Sequence, residues 1–281
     1  MVESSPADKD IPIADCHFHI VDPARFPLPG NCGYTPGPDE TGTAGDFMAC
    51  MRIHKVTHGL AVQPSGYGYD NSAMLDAMAQ SQGRIKGIAV VPQDISEQDL
   101  SRLTDSGVVG IRFNLVNFDA GGLDTTRAVR LLEQIRELGW YAQIQSKAND
   151  FPRLVSILTK TRVKVLLDHL ARPDPKLGVE QPGFDQVLRL ADSGRVTVKL
   201  SGAFRESDVA YPHADLDPFV GKLLAAYTPD NLIWGSDWPF LNLSEKPSYR
   251  QTMECLQRWI PEKTQRRAVF WDTPARIFNF G

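Results

Sequence analysis

The chain has 281 residues, 42% hydrophobic and 23% charged, enough apolar material for one large core. Its net charge of −4 creates no global field for nucleic acid or an anionic membrane, so neither is expected as a partner, and an anionic ligand would need local arginines. No apolar run approaches the roughly 20 residues of a membrane span. Residues 1–10 are polar and acidic and read as a flexible N-terminus rather than a signal peptide, so the expected compartment is the cytoplasm. Cys16, Cys32, Cys50 and Cys255 lack Cys-x-x-Cys spacing, which argues against a zinc ribbon or a disulfide framework.

In chain order, Ile11-Pro12-Ile13 leads into a buried strand ending in Asp15-Cys16-His17-Phe18-His19. Alternation along a strand sends His17 and His19 to one face, with Asp15 in phase and Cys16 and Phe18 opposite. Two imidazoles on one wall can hold a divalent cation, orient a water or bond a substrate oxygen. The Pro- and Gly-rich stretch from Val21 to Gly45 is a long connection of the kind that borders active sites, with Arg25 and Tyr34 its ligand-gripping side chains. A helix is expected over Asp46–Lys55 and a strand over His58–Gln63. Asn71 should cap a helix running to Gln82, and the continuous apolar run Ile85–Val91 suits a strand buried on both faces.

The alternation continues with helices near Ser96–Ser106, Thr125–Leu138, Phe151–Thr159, Phe184–Asp192 and Asp215–Tyr227. Strands are expected near Val108–Phe113, Tyr141–Gln145, Val163–Asp168, Val196–Leu200 and Leu232–Gly235. Helices at Tyr249–Trp259 and Pro261–Phe270 would close the outside. About eight strands alternating with helices, and no linker or low-complexity stretch, predict an α/β fold: a (β/α)8 TIM barrel with residues 1–281 as one domain.

Functional groups of such a barrel collect at the C-terminal ends of its strands. Here those ends carry His17 and His19, Gln63 with Ser65, Arg112 with Asn114, Gln145 with Lys147, His169 with Arg172, Lys199 with Ser201, and Asp237. The matching segments are Asp15–His19, Asp70-Asn71, Gly87–Val91, Gly110–Asn114, Asp168–Asp174 and Trp234–Pro239. On these segments, in this order, the chain resembles the amidohydrolase superfamily, within it the branch of 2-pyrone-4,6-dicarboxylate lactonases and sugar-lactone hydrolases. The resemblance spans nearly the whole chain and implies a lactone ring opened by water.

On physical grounds Asp237 is the candidate general base, provided its carboxylate reaches the attacking water. His17, His19 and His169 can polarise the carbonyl and stabilise charge developing on its oxygen. Arg112 and Arg172 can each grip a carboxylate through two parallel N–H bonds, and Arg205 is a third candidate; Gln145, Asn114 and Ser65 suit substrate hydroxyls or ring oxygens. His54, His58 and His213 lack such context and read as structural.

The match also departs from the family. Gln145 and Arg112 stand where metal-dependent members place a histidine and a lysine or carboxylate, so a two-metal site lacks its bridge and hydrolysis without a cofactor is expected. The alternative is one zinc on His17, His19 and Asp237. The pyrone lactonase carries a tyrosine at Gln145, a basic residue near Asn117-Phe118 and a histidine at Phe240, leaving a second substrate carboxylate short of partners. The expected activity is hydrolysis of a small anionic lactone resembling 2-pyrone-4,6-dicarboxylate. Its alternatives are a sugar-acid lactonase, or a zinc-dependent decarboxylase or amidohydrolase. The sequence specifies no oligomeric state.

Overall fold

The computed structural model describes residues 11–30, 32, 34–116, 122, 123 and 125–281; the expected flexible N-terminus and Asn117-Phe118 lie outside the described residues. Eight parallel strands form one sheet in sequence order: β1 (Ala14–Phe18), β2 (His58–Val62), β3 (Ile85–Ala89), β4 (Val108–Asn114), β5 (Tyr141–Gln145), β6 (Lys164–Leu167), β7 (Val196–Leu200) and β8 (Leu232–Trp234). The helices between them are α1 (Ala44–His54), α2 (Ser72–Gln80), α3 (Glu97–Asp105), α4 (Thr126–Glu137), α5 (Phe151–Thr161), α6 (Pro182–Arg189), α7 (Ala203–Glu206) and α8 (Asp217–Tyr227). After β8 come α9 (Tyr249–Trp259), α10 (Lys263–Arg267) and α11 (Thr273–Phe278). This is the expected (β/α)8 barrel. Among the described residues no helix is long and apolar enough to cross a membrane.

Helix α4 shows how the outer ring is specified. Thr125 Oγ1 accepts the Ala128 N–H at 3.0 Å, satisfying one orphan donor of the first turn. Ala128, Leu131, Leu132 and Ile135 recur at helical spacing and are all buried. Burial of each large side chain contributes about 1.5–3 kcal/mol. Gly139, at φ +73°, then ends the helix in a conformation that a side chain would resist.

The barrel closes at a seam that also builds the site. Asp237 N–H donates to His17 O at 2.7 Å, and His19 N–H donates to Trp238 O at 2.8 Å. The segment after β8 therefore pairs with the end of β1, which puts Asp237 beside both histidines. Gly235 makes this approach feasible, because a Cβ there would lie 2.6 Å from the Cβ of His17.

Several local expectations are corrected. The register of β1 against β2 shifts between Asp15 and Phe18, a bulge that resets the alternation. Asp15 is thus out of phase with the histidines and accepts bonds from the Ser236 N–H and hydroxyl and from Tyr249 on α9. Asn71 does not cap α2: its side chain bonds both backbone groups of Val90, and Asp70 accepts the Ser72 N–H. α1 starts two residues early because Thr43 and Asp46 form a reciprocal capping box. The last helix breaks into α10, a π turn at Ala268–Asp272 and α11.

Candidate active site

At the C-terminal end of the strands lies a cavity of about 310 Å3. His19 and Asp237 border it from the seam, Ser65 and Arg112 from β2 and β4, and Gln145, His169 and Arg205 from the following strands. His17 lies immediately beneath, fully buried. The Nε2 atoms of His17 and His19 stand 3.7 and 3.4 Å from Asp237 Oδ1, and that of His169 stands 3.8 Å from Oδ2. The sequence-expected set of His17, His19, His169 and Asp237 is therefore one cluster.

Unusual backbone holds His169 in place. His169, Leu170, Ala171 and Arg172 all have positive φ, between 52° and 60°, making a short left-handed turn after β6. Such geometry costs about 1–2 kcal/mol per residue that carries a side chain. Bonds from Ala171 N–H to Asp168 O (3.0 Å), Arg172 N–H to His169 O (2.8 Å) and Ala148 N–H to Arg172 O (2.9 Å) oppose that cost, as does burial of Leu170 and Ala171. Opposite, Gly202 at φ +65° leaves room for the ring, since a Cβ would lie 2.6 Å from His169 Nδ1.

Burial would raise the Asp237 pKa, but the Arg205 guanidinium beside it holds it well below the usual carboxylate range. The Arg205 Nε donates to Asp237 Oδ2, and its Nη1 donates to Leu241 O at 3.0 Å. The histidines are neutral. Burial, reinforced by the nearby Lys199 charge, pushes His17 down to about 3, and burial lowers His19 and His169 despite the carboxylates around them.

Around and below the histidines is a second set of buried polar groups. Arg112 donates to Gln63 O at 3.2 Å and to Gln145 Oε1, with its Nε 3.6 Å from Asp168 Oδ2. Gln143 donates to Asp168 Oδ2 at 3.0 Å, and Lys199 donates to Gln143 Oε1 at 2.6 Å. Lys199 Nζ also lies 3.3 Å from His17 Nδ1 and 3.4 Å from Asp168 Oδ1. Lys199, Gln143 and Asp168 received no role from sequence reasoning. A signal existed, because a lysine within Val-Thr-Val-Lys-Leu and a glutamine within Tyr-Ala-Gln-Ile-Gln are costly to bury unless partnered.

Asn114 lines the cavity and donates to Ser65 Oγ at 2.7 Å. Arg172 does not line it: its Nε pairs with Glu206 Oε1 at 2.8 Å. Of the two side chains singled out in the 21–45 segment, Tyr34 reaches the cavity, whereas Arg25 forms an exposed pair with Asp76. Tyr34 donates to Glu40 Oε2 at 2.5 Å, and both receive the Asn242 N–H, tying this segment to the loop after β8. His54 stacks on Tyr249, His58 packs between Trp271 and Phe280, and His213 meets Tyr211, all outside the cavity lining.

Among the described residues, two groups of side chains are close enough to share a metal ion: His17, His19 and Asp237, and His17, Asp168 and His169, with ligand atoms within 4.8 Å of one another in each. The family model for amidohydrolases matches residues 14–280. The chain belongs to the amidohydrolase family. Among its relatives, this amidohydrolase is 30% identical over 270 residues to the 4-sulfomuconolactone hydrolase of Hydrogenophaga intermedia, covering 94% of this chain and 88% of the relative. It is 30% identical over 277 residues to the 2-pyrone-4,6-dicarboxylate hydrolase of Comamonas testosteroni, covering 94% and 89%. Its fold superposes with a TM-score of 0.86 on the crystal structure of a probable 2-pyrone-4,6-dicarboxylic acid hydrolase from Acinetobacter baumannii with citric acid bound, at 27% identity and covering 95% and 99% of the two chains.

Proposed function

We propose that this amidohydrolase is a lactone hydrolase acting on a small ring that carries an acidic group, in the class of the lactones for which its relatives are named. The observation that carries the reading is the convergence of three imidazoles on one carboxylate at the end of the barrel. Water held there passes a proton to Asp237 while its oxygen bonds to the ring carbonyl carbon, and the carbonyl electron pair moves to its oxygen. His169, Arg112 and Arg205 supply charge and hydrogen bonds to that oxyanion and to the substrate acid. Collapse of the intermediate breaks the ring C–O bond, and the departing oxygen takes the proton from Asp237.

The depressed basicity of Asp237 fits this reading when an acid engages Arg205, because that contact removes one of the charges holding the carboxylate down. Arg112, Arg205 and Lys199 face Asp168 and Asp237, leaving an excess of one positive charge around neutral histidines. That balance suits one substrate acid, with Gln145, Asn114 and Ser65 bonding ring or hydroxyl oxygens and the 21–45 segment walling the site through Tyr34. A pH-stat screen of pyrone dicarboxylate, muconolactones and aldonic or aldaric lactones should show acid release that Asp237→Asn abolishes. Undiminished release by that variant would remove the base from the mechanism.

The spacing of His17, His19 and Asp237 supports a second reading, in which those residues hold one divalent cation. Such an ion would polarise a carbonyl and acidify water. Metal analysis of the purified protein separates the readings: zinc at one per chain with chelator-sensitive turnover selects the second.

A further inference from the structure

The hydrogen bonds of the two histidines from β1 can be followed proton by proton. A carbonyl oxygen only accepts, so His19 carries its proton on Nδ1 to bond Val62 O at 2.7 Å. Its Nε2 therefore presents a lone pair to Asp237 Oδ1, 3.4 Å away. Two lone pairs facing each other at that distance call for a proton or a cation between them.

His17 is set the opposite way. An ammonium group only donates, and Lys199 donates to Gln143 Oε1 at 2.6 Å and to His17 Nδ1 at 3.3 Å. Asp168 Oδ1 is equally close to Nδ1, at 3.3 Å, but it also lies 3.4 Å from Lys199 Nζ, whose charge it faces. With Nδ1 accepting, the proton of His17 lies on Nε2, a buried atom with no hydrogen-bond partner among the described residues.

We infer that Lys199 is a positioning residue: it fixes the His17 proton on Nε2 and so makes His17, His19 and Asp237 a socket for one water molecule instead of a metal ion. The inference rests on the hydrolytic reading above and deepens it. A water in this socket accepts from His17 Nε2–H and donates its two protons to His19 Nε2 and Asp237 Oδ1. One lone pair stays free to face the lactone carbonyl, and one donated proton already points at the base. His169, on the other oxygen of Asp237, is left to the carbonyl oxygen. A divalent ion would need lone pairs from all three ligands, and His17 could supply one only by moving its proton to Nδ1, against the N–H of Lys199.

The test is long-range proton–nitrogen spectroscopy of the intact protein labelled with 15N-histidine, with His17 assigned by comparison with His17→Gln. Wild type should show an unprotonated Nδ1 and a protonated Nε2 at His17. In Lys199→Met the pattern should reverse, with Nδ1–H turned to Asp168, and zinc titrated against a chelator should bind about 10- to 100-fold tighter than to wild type. A wild-type His17 protonated on Nδ1 overturns the inference whether or not the variant folds. A folded Lys199→Met protein with unchanged zinc affinity overturns it as well. Neither readout needs a lactone, so failure of the hydrolytic reading would be seen separately in the pH-stat screen.

Discussion

At the N-terminal end of the barrel the strands turn Ala14, Leu60, Leu166 and Ile233 inward against Phe278 and Phe280 from the C-terminal segment. A few residues further along the same strands stand His17, Gln63, Asp168 and, after β8, Asp237, all buried. The lower half is stabilised by apolar area, which is non-directional and insensitive to pH. The upper half keeps its charges only through mutual pairing, and buried ion pairs contribute little net stability once desolvation is counted. One end therefore maintains the fold, and the other is retained for what it does.

That division can be broken at either end. Asp237→Asn should lower kcat/KM by about 10²- to 10⁴-fold, the range of a general base, with the protein still folded by circular dichroism. Phe278→Ala should cost about 3–5 kcal/mol in urea unfolding and leave kcat of the folded protein unchanged. A loss of rate in the second variant, or wild-type rate in the first, would show that the two ends are not separate. Gly202→Ala probes their border: a Cβ pressed on His169 should lower kcat about 100-fold by misplacing one ring, with a smaller loss in melting temperature.

The finest test concerns Glu206, whose carboxyl is pushed from 4.5 up to about 7 by burial, against the opposing charges of Arg172 and Arg205. An acid with a raised folded pKa binds more protons folded than unfolded, so this group's contribution to stability falls as pH rises from about 4.5 through 7. Between pH 4.5 and 7.5, wild type should lose on the order of 2–3 kcal/mol relative to Glu206→Gln. Parallel stability profiles would mean that Arg172 keeps Glu206 ionised throughout.

Apolar runs bounded by turn residues made the barrel legible, because the strands are buried on both faces and longer helices such as α4 show their own periodicity. The β1 bulge was not legible: strict alternation puts Asp15 with His17, and only the partner strand imposes the register shift. The histidine and Asp237 cluster could be anticipated from strand-end positions. The arginines were harder. Arg172 and Arg205 both follow strand ends, yet Glu206, adjacent in sequence to Arg205, pairs with Arg172, and Arg205 turns to Asp237. Which cation is neutralised depends on loop geometry that residue spacing does not encode. Lys199 was visible as an anomaly in an apolar strand, but its partners come from three other strands or their ends.

The guanidinium groups bordering the cavity are already engaged, Arg112 with Gln145 and a main-chain carbonyl, Arg205 with Asp237 and another. An entering acid thus trades places with resident acceptors instead of meeting naked cations. Such an exchange gains little from charge alone, so stray anions are held weakly. Discrimination falls to ligands whose shape lets them take up the released contacts in concert.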